Sequence, residues 1–415
     1  MGYTTPSEIQ EKSIPLLLKR KDILATSQTG TGKTASFSFP LLENLKEESN
    51  KRTGDERYKI KALILAPTRE LVIQIQQKIE AYGENFSHKS VALYGGIKLG
   101  SQVSAIRAGA NIAVGTTARV LDHVKNKSLN LSEVEIIILD EADKMLEMGF
   151  IDDIRKILAH LPKERHSVMF SATFPKEIKS LAKSFLNNPI TVEIDKENLS
   201  AQEIKQLVHY VKEEEKTLFL SQLIHSNENA QTLVFSNTKL QADKIVEALR
   251  TANIKSSAIH GDKSQNMRTE ALKKFKDKKI QVLVATDVAG RGIDILNLPY
   301  VINFELPLNN EDYVHRIGRT GRAGERGEAH SLVCKKEREQ LKEIEKLINK
   351  KIEVLSEEKV KTNRKVKKED KKKGINLKQA KELAEKMMGK EGINPTDNNK
   401  RSKIGSKSQK NKRHF

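Results

Sequence analysis

The sequence contains a single cysteine, Cys334, in 415 residues. One thiol cannot close an internal disulfide, and no Cys/His cluster has the spacing of a zinc site. This excludes a disulfide scaffold and fits a reducing compartment. Long apolar runs are missing as well. Nothing approaches the ~18 residues that a membrane-spanning helix needs, and no stretch has the layout of a signal peptide. The expectation is a protein without a membrane partner, in the cytoplasm by default. Acidic residues are the third shortage, with 55 Asp or Glu against 74 Lys or Arg, a net charge of +19. Such an excess points first to a polyanionic partner, nucleic acid or an acidic membrane surface.

The charge is unevenly placed. Residues 361–415 hold 19 Lys or Arg against 6 Asp or Glu, so the body is only mildly basic. After about residue 345, lysine runs with Asn, Ser and Gly predict a basic, mostly disordered tail over 346–415. Within it, Leu377, Ala380, Leu383, Ala384, Met387 and Met388 could share one face of a short helix.

The body alternates short apolar runs with amphipathic stretches. The runs at 23–26, 62–66, 91–94, 112–114, 136–139 and 168–170 are unbroken, as suits strands of a parallel sheet covered on both faces. Amphipathic segments such as 69–82 and 152–161 lie between them, a pattern that predicts an α/β fold with right-handed crossovers. A second series follows at 207–211, 232–235, 257–259, 282–285 and 300–304. The polar, aperiodic stretch around 195–202 separates the two. The reading is a first domain over 1–195, a linker over 196–205 and a second domain over 206–345.

The first apolar run leads into Ser27-Gln28-Thr29-Gly30-Thr31-Gly32-Lys33-Thr34. This is close to the phosphate-loop pattern G-x-x-x-x-G-K-[ST], with Ser27 in place of its first glycine. Gly30 and Gly32 let the backbone curl so that several N–H groups face one anion. A following helix would present its positive end to the same phosphates. Lys33 would reach the β- and γ-phosphates, and the Thr34 hydroxyl would ligate Mg²⁺. The run 136–139 ends in Asp140-Glu141-Ala142-Asp143. Acids at the end of an apolar strand are costly unless they meet a cation or water. Asp140 would hold Mg²⁺, directly or through water, and Glu141 would orient and deprotonate the attacking water.

These and further strings resemble the DEAD-box RNA helicases over roughly residues 1–345. Pro67-Thr68-Arg69-Glu70-Leu71, Gly95-Gly96, Ser171-Ala172-Thr173, His260-Gly261-Asp262, the run from Asp287 to Asp294 and the run from His315 to Arg322 recur in the family's order. Phe170-Ser171-Ala172-Thr173-Phe174 and Phe235-Ser236-Asn237-Thr238 are most similar to the bacterial RhlE-type branch. The resemblance implies two tandem RecA-like domains that close on ATP and RNA together. It places Tyr3 and Gln10 at the adenine, Gln10 through a bidentate amide, and Gly292 and Asp294 at the nucleotide, Asp294 on the ribose. Arg319 and Arg322 would cross the cleft as arginine fingers toward the γ-phosphate. His315 would link that motif to Ser171 and Thr173, which in turn would bond Asp143. RNA would be held by its backbone on Thr68, Arg69, Gly96, Thr116 and Arg119 of the first domain and on Gln265, Arg268 and Thr286 of the second. Backbone contacts carry little sequence information, so weak sequence preference and strong salt dependence are expected.

Two departures stand out. The chain opens at Met1-Gly2-Tyr3, inside the adenine motif and without the upstream aromatic that members usually stack on the base. Either the start is trimmed or ATP affinity falls several-fold, since stacking contributes about 0.5–1.5 kcal/mol. Thr116-Thr117-Ala118-Arg119 stands where the family typically has Thr-Pro-Gly-Arg, which changes the local turn options. The expected activity is RNA-stimulated ATP hydrolysis with Mg²⁺, coupled to unwinding of short duplexes or remodelling of ribonucleoprotein in ribosomal or mRNA-decay complexes. The alternatives are an RNA-annealing or RNA-anchoring protein acting through its tail, and a DNA-translocating helicase.

Overall fold

The computed structural model describes residues 4–26, 31–45, 60–194, 204–227, 230–290, 295, 298–321 and 327–355. The first lobe carries strands β1 (Ile23–Thr26), β2 (Ala62–Leu65), β3 (Ser90–Leu93), β4 (Ile112–Gly115), β5 (Ile136–Leu139), β6 (His166–Ser171) and β7 (Ile190–Glu193). They form one sheet in the order β3-β4-β2-β5-β6-β1-β7, every neighbouring pair parallel. Helix α1 (Glu8–Leu18) precedes β1, and between the strands lie α2 (Lys33–Asn44), α3 (Arg69–Tyr82), α4 (Leu99–Arg107), α5 (Thr117–Lys125), α6 (Ala142–Glu147), α7 (Ile151–Leu158) and α8 (Lys176–Phe185).

Burial explains why these segments are strands. All four residues of β2, β4 and β5 are buried. Successive side chains feed opposite faces. Leu63, Leu65, Ala113, Ile137 and Leu139 pack into one cluster, while Ala62, Ile64, Ile112, Val114, Ile136 and Ile138 pack into another. The sheet is therefore covered on both sides, as continuous apolar runs require. Each fully buried Ile or Leu stabilises the lobe by about 1.5–3 kcal/mol. Helix α3 spans the predicted 69–82 segment and starts where the Thr68 hydroxyl accepts from the Leu71 N–H.

The second lobe carries β8 (Lys205–Tyr210), β9 (Thr232–Phe235), β10 (Ser256–Ile259), β11 (Val282–Ala285), β12 (Tyr300–Asn303), β13 (Glu328–Val333) and β14 (Glu353–Leu355). Their order is β10-β11-β9-β12-β13-β8-β14, again all parallel. Helices α9 (Lys216–Ser226), α10 (Lys239–Thr251), α11 (Gln265–Lys276), α12 (Asp287–Gly290), α13 (Glu311–Ile317) and α14 (Arg338–Leu347) accompany them. The two sheets share one order of strands, apart from the numbering offset.

The sheet of the second lobe runs past residue 345, where its end was expected: Glu353–Leu355 pairs with Leu207–His209 of β8. The expected linker lies almost wholly outside the described residues, as do the tail from 356 on and its candidate short helix. Among the described residues no helix is long and apolar enough to cross a membrane.

Candidate nucleotide site and nucleic-acid interface

In an open parallel sheet, ligands sit beyond the carboxyl ends of the strands. Here β5, β6 and β1 are consecutive neighbours. Their carboxyl ends bring together residues 140–143, residues 171–173 and the start of α2 at Lys33. Gly32 precedes α2 with φ +95°, a left-handed conformation that glycine adopts without penalty. A Cβ there would lie 2.5 Å from Gln10 Nε2 and 2.9 Å from Ser7 Oγ. The Gln10 amide is held in turn: Nε2 donates to the Gly32 carbonyl at 3.3 Å, and Oε1 accepts from the Ser7 N–H at 3.0 Å. The adenine-reading glutamine expected from sequence is thus joined directly to the phosphate loop. Tyr3, Ser27, Gln28, Thr29, Gly30, Gly292, Asp294 and Arg322 lie outside the described residues.

Lys33 opens α2, is 6% exposed and places Nζ 3.7 Å from Asp140 Oδ1. That oxygen is buried and has no hydrogen-bond partner. Burial raises the Asp140 carboxyl above its ordinary range, with Lys33 opposing the rise. A buried carboxylate oxygen without a hydrogen-bond partner, beside the lysine that opens α2, fits a cation bound together with a nucleotide. Thr34 stands next to Lys33 on the same first turn. Among the described residues no group of three or more acidic, His or Cys side chains is arranged to hold a metal ion by itself. The fit is to Mg²⁺ held by one carboxylate, a hydroxyl and substrate phosphates.

Glu141 has φ 57° and ψ 51°, a left-handed backbone that costs a non-glycine residue energy and is tolerated where the surroundings impose it. Its side chain is buried, with Lys144 Nζ 3.4 Å from Oε2. Burial would raise this carboxyl, but Lys144, Lys33, Arg319 and His315 outweigh burial and hold it well below the usual range, at about 2. Two of those four groups belong to the second lobe. Arg319 is itself 2% exposed. The sequence-predicted finger and the predicted base are therefore within electrostatic reach of one another.

Asp143 ties two strand ends together. Its Oδ2 accepts from the backbone N–H of Ala172 at 3.0 Å and of Thr173 at 2.9 Å, and from Thr173 Oγ1 at 3.2 Å. The expected bond from Ser171 is not formed. Its hydroxyl donates to the Thr173 carbonyl at 2.7 Å, because the turn after β6 brings that acceptor closer. His315 acts electrostatically on Glu141.

The expected RNA residues fall in two groups. On the first lobe, Thr68 caps α3 and Thr116 precedes α5. Arg119 Nη2 donates to the Ile97 carbonyl at 3.2 Å. Gly96 has φ +90°, and a Cβ there would meet Arg69 Nη1 at 2.4 Å. Glycine is required at that point for the arginine to lie across the 95–96 turn. On the second lobe, Thr286 is buried at the end of β11. Gln265 and Arg268 open α11, but both reach into the first lobe. Gln265 Nε2 donates to Glu70 Oε1 at 3.0 Å and Arg268 Nη2 to Glu70 Oε2 at 2.6 Å.

Three residues at these contacts escape sequence reasoning. Glu70 reads as an ordinary acid in a helix's first turn. Lys144 reads as a solvated lysine after an acidic quartet. Arg316 has no signal of its own inside the 315–322 run, yet it is 1% exposed. It clamps Asp287 with Nε at 2.6 Å and Nη2 at 2.7 Å, and donates to Asn237 Oδ1 and the Glu305 carbonyl. Nothing in residue spacing reveals partners so distant in sequence.

A parallel sheet with a lysine-led helix after its first strand, an acidic strand end beside it and a second sheet of the same order is the architecture of a two-lobed P-loop nucleoside triphosphatase. Family models agree with that class and sharpen it. The DEAD/DEAH box helicase model matches residues 7–181, and the helicase conserved C-terminal domain model matches residues 215–324. The DEAD-box ATP-dependent RNA helicase RhpA of Helicobacter pylori is 41% identical over 353 residues, covering 85% of this chain and 70% of its own length. The DEAD-box ATP-dependent RNA helicase CshA of Bacillus subtilis is 41% identical over 357 residues, 86% of this chain and 71% of its own. Among solved structures, S. cerevisiae Dbp5 bound to RNA and ADP BeF3 is 32% identical with a TM-score of 0.74, covering 85% of this chain and 90% of that one. Mss116 bound to ssRNA and UDP-BeF is 28% identical with a TM-score of 0.75, covering 86% and 77%. The chain belongs to the DEAD-box ATP-dependent RNA helicases.

Proposed function

We propose that this protein is an RNA-stimulated ATPase that uses closure of its two lobes to separate short RNA duplexes or to remodel ribonucleoprotein. The observation that carries the reading is the set of groups acting on the buried Glu141 carboxylate, Lys33 and Lys144 from one lobe and Arg319 and His315 from the other, with Lys144 Nζ at 3.4 Å. The domains divide as 1–195 and 206–345 with the linker at 196–205, the second extended by β14.

ATP enters with its adenine on Gln10 and Tyr3 and its phosphates on the loop 27–34. Lys33 leaves Asp140 for the β- and γ-phosphates, and the α2 N-terminus adds its amide dipoles. Asp140 and Thr34 hold Mg²⁺, which when bound neutralises phosphate charge. Glu141 accepts the proton of the attacking water. Arg319 and Arg322 balance charge on the transferred phosphoryl group, which is where an arginine from a second lobe contributes most. Gly292 and Asp294 complete the nucleotide contacts. Asp143, Ser171, Thr173 and His315 pass nucleotide state to the lobe contacts.

RNA lies on Thr68, Arg69, Gly96, Thr116 and Arg119, and on Gln265, Arg268 and Thr286. These are phosphate- and sugar-directed groups with little base readout. We place the protein in the cytoplasm, acting on ribosomal or mRNA-decay substrates. The test is ATP turnover with and without RNA in the wild type and in Glu141→Gln. Turnover that RNA does not stimulate, or that survives Glu141→Gln unchanged, overturns both the motor and the base assignment.

A further inference from the structure

Lys144 sits in the first turn of α6, three residues after Glu141, with 2% of its surface exposed. Two effects oppose a cation there. Burial strips its hydration, which costs far more for an ammonium than for an apolar side chain. Arg319 and Lys33 add like charge nearby. The neighbouring side chain, Met145, is fully buried, so an unbranched apolar residue would satisfy the packing at this turn. The largest compensation for the ammonium is the Glu141 carboxylate at 3.4 Å.

The cleft thus holds two lysine–carboxylate pairs side by side, Lys33 with Asp140 at 3.7 Å and Lys144 with Glu141 at 3.4 Å. Their fates differ when nucleotide arrives. Lys33 belongs to the phosphate loop and is drawn to the triphosphate. Lys144 is on the same turn as Glu141 and moves with it. The left-handed backbone of Glu141 sets the direction in which its side chain leaves the chain. Lys144 fixes the other end through charge, with Nζ 3.4 Å from Oε2, an oxygen that has no hydrogen-bond partner.

We propose that Lys144 is a positioning residue for hydrolysis, holding one oxygen of the Glu141 carboxylate so that the other faces the attacking water. It touches neither phosphate nor water and acts through Glu141. Proton transfer by a well-placed base contributes about 10²–10⁴-fold, and part of that factor depends on geometry. The inference rests on the ATPase reading above.

The experiment compares steady-state ATP hydrolysis at saturating RNA in the full chain for wild type, Lys144→Met, Lys144→Arg, Glu141→Gln and Glu141→Gln/Lys144→Met. Methionine keeps the unbranched stem and removes the charge, whereas arginine restores the charge. Lys144→Met is expected to lower kcat about tenfold or more and to leave KM for ATP within about twofold, the pattern of an interaction used in the transition state. Lys144→Arg should recover most of kcat. The double variant should be no slower than Glu141→Gln alone, because Lys144 has nothing left to position. Assembly on RNA with ADP and beryllium fluoride should match wild type in Lys144→Met. Wild-type kcat in Lys144→Met, a defect that multiplies onto Glu141→Gln, or loss of the beryllium fluoride complex each overturns the proposal. A wild type without RNA-stimulated turnover would instead sink the ATPase reading, so the two failures are distinguishable.

Discussion

Arg268 Nη2 lies 2.6 Å from Glu70 Oε2, joining the first turn of α11 in one lobe to the first turn of α3 in the other. Both side chains are less than a tenth exposed. Gln265 occupies the second carboxylate oxygen, so Glu70 is held by two residues across the lobes. A buried charge pair of this kind adds little over an apolar replacement but is costly to break on one side, about 3–5 kcal/mol. Glu70→Ala is therefore expected to lower RNA-stimulated ATP turnover by tenfold or more, through loss of the closed arrangement, while leaving the melting of each lobe nearly unchanged. Arg268→Ala should do the same. The double variant should show a coupling of about 1–3 kcal/mol in turnover. Additive defects would show that the contact does not operate in the working state.

Gly32 provides a second handle. Its backbone is left-handed, and a Cβ added there would come within 2.5 Å of Gln10 Nε2, so the Gln10 amide would have to shift. Gly32→Ala should displace Gln10 and the loop together, weakening ATP binding by about tenfold or more, consistent with 1–3 kcal/mol for a strained backbone position. RNA binding without nucleotide should persist. Equilibrium titration with a fluorescent ATP analogue and a separate RNA titration decide the matter. Wild-type ATP affinity would count against the observed loop geometry.

Much of this fold was legible from residue pattern, for reasons the structure makes clear. β2, β5, β9 and β11 are buried along their whole length, so they read as unbroken apolar runs. Strands at the margins did not. β7 buries only Val192, and β14 buries none of its residues, so neither carries an apolar signature. β13 is buried, yet His330 and Ser331 interrupt its hydrophobic run with polar groups satisfied by cross-strand partners. The site divides the same way. Lys33, Asp140 and Glu141 stand in local motifs whose spacing states their chemistry. Glu70 and Arg268 are 198 residues apart, and only the tertiary fold reveals that they meet.

The polar interruption of β13 makes the second lobe sensitive to acid. His209 Nε2 lies 2.9 Å from His330 Nδ1, and the rings stack at 5.2 Å. Burial, then the neighbouring His330, lowers the His209 pKa to about 4, and burial lowers that of His330. A histidine with a folded-state pKa below its unfolded value of ~6.5 stabilises the protein fully above 6.5. That contribution is lost as pH falls from 6.5 toward 4, because the unfolded chain binds the proton first. Between pH 7 and 5 the loss for His209 should be about 1–2 kcal/mol. His209→Phe should flatten the dependence of the melting temperature on pH in that window. An unchanged slope in the variant would refute the assignment.

The basic segment 361–415 offers a prediction about affinity rather than catalysis. An excess of lysine and arginine such as this one is expected to bind phosphates by releasing counterions, a contribution that falls steeply with salt. The groups proposed to hold ATP and act on it all lie before residue 323. Removing 361–415 should therefore weaken RNA binding at low salt by about tenfold or more and reduce the slope of log affinity against log salt concentration. The kcat at saturating RNA should stay within about twofold of the full chain, because closure depends on contacts such as Glu70 with Arg268, which the deletion leaves in place. Parallel RNA titrations at two salt concentrations, with ATPase assays on the same preparations, separate the two quantities. If RNA binding vanished altogether, the protein would be an RNA anchor working through its tail, and the lobes would not be gripping RNA at all.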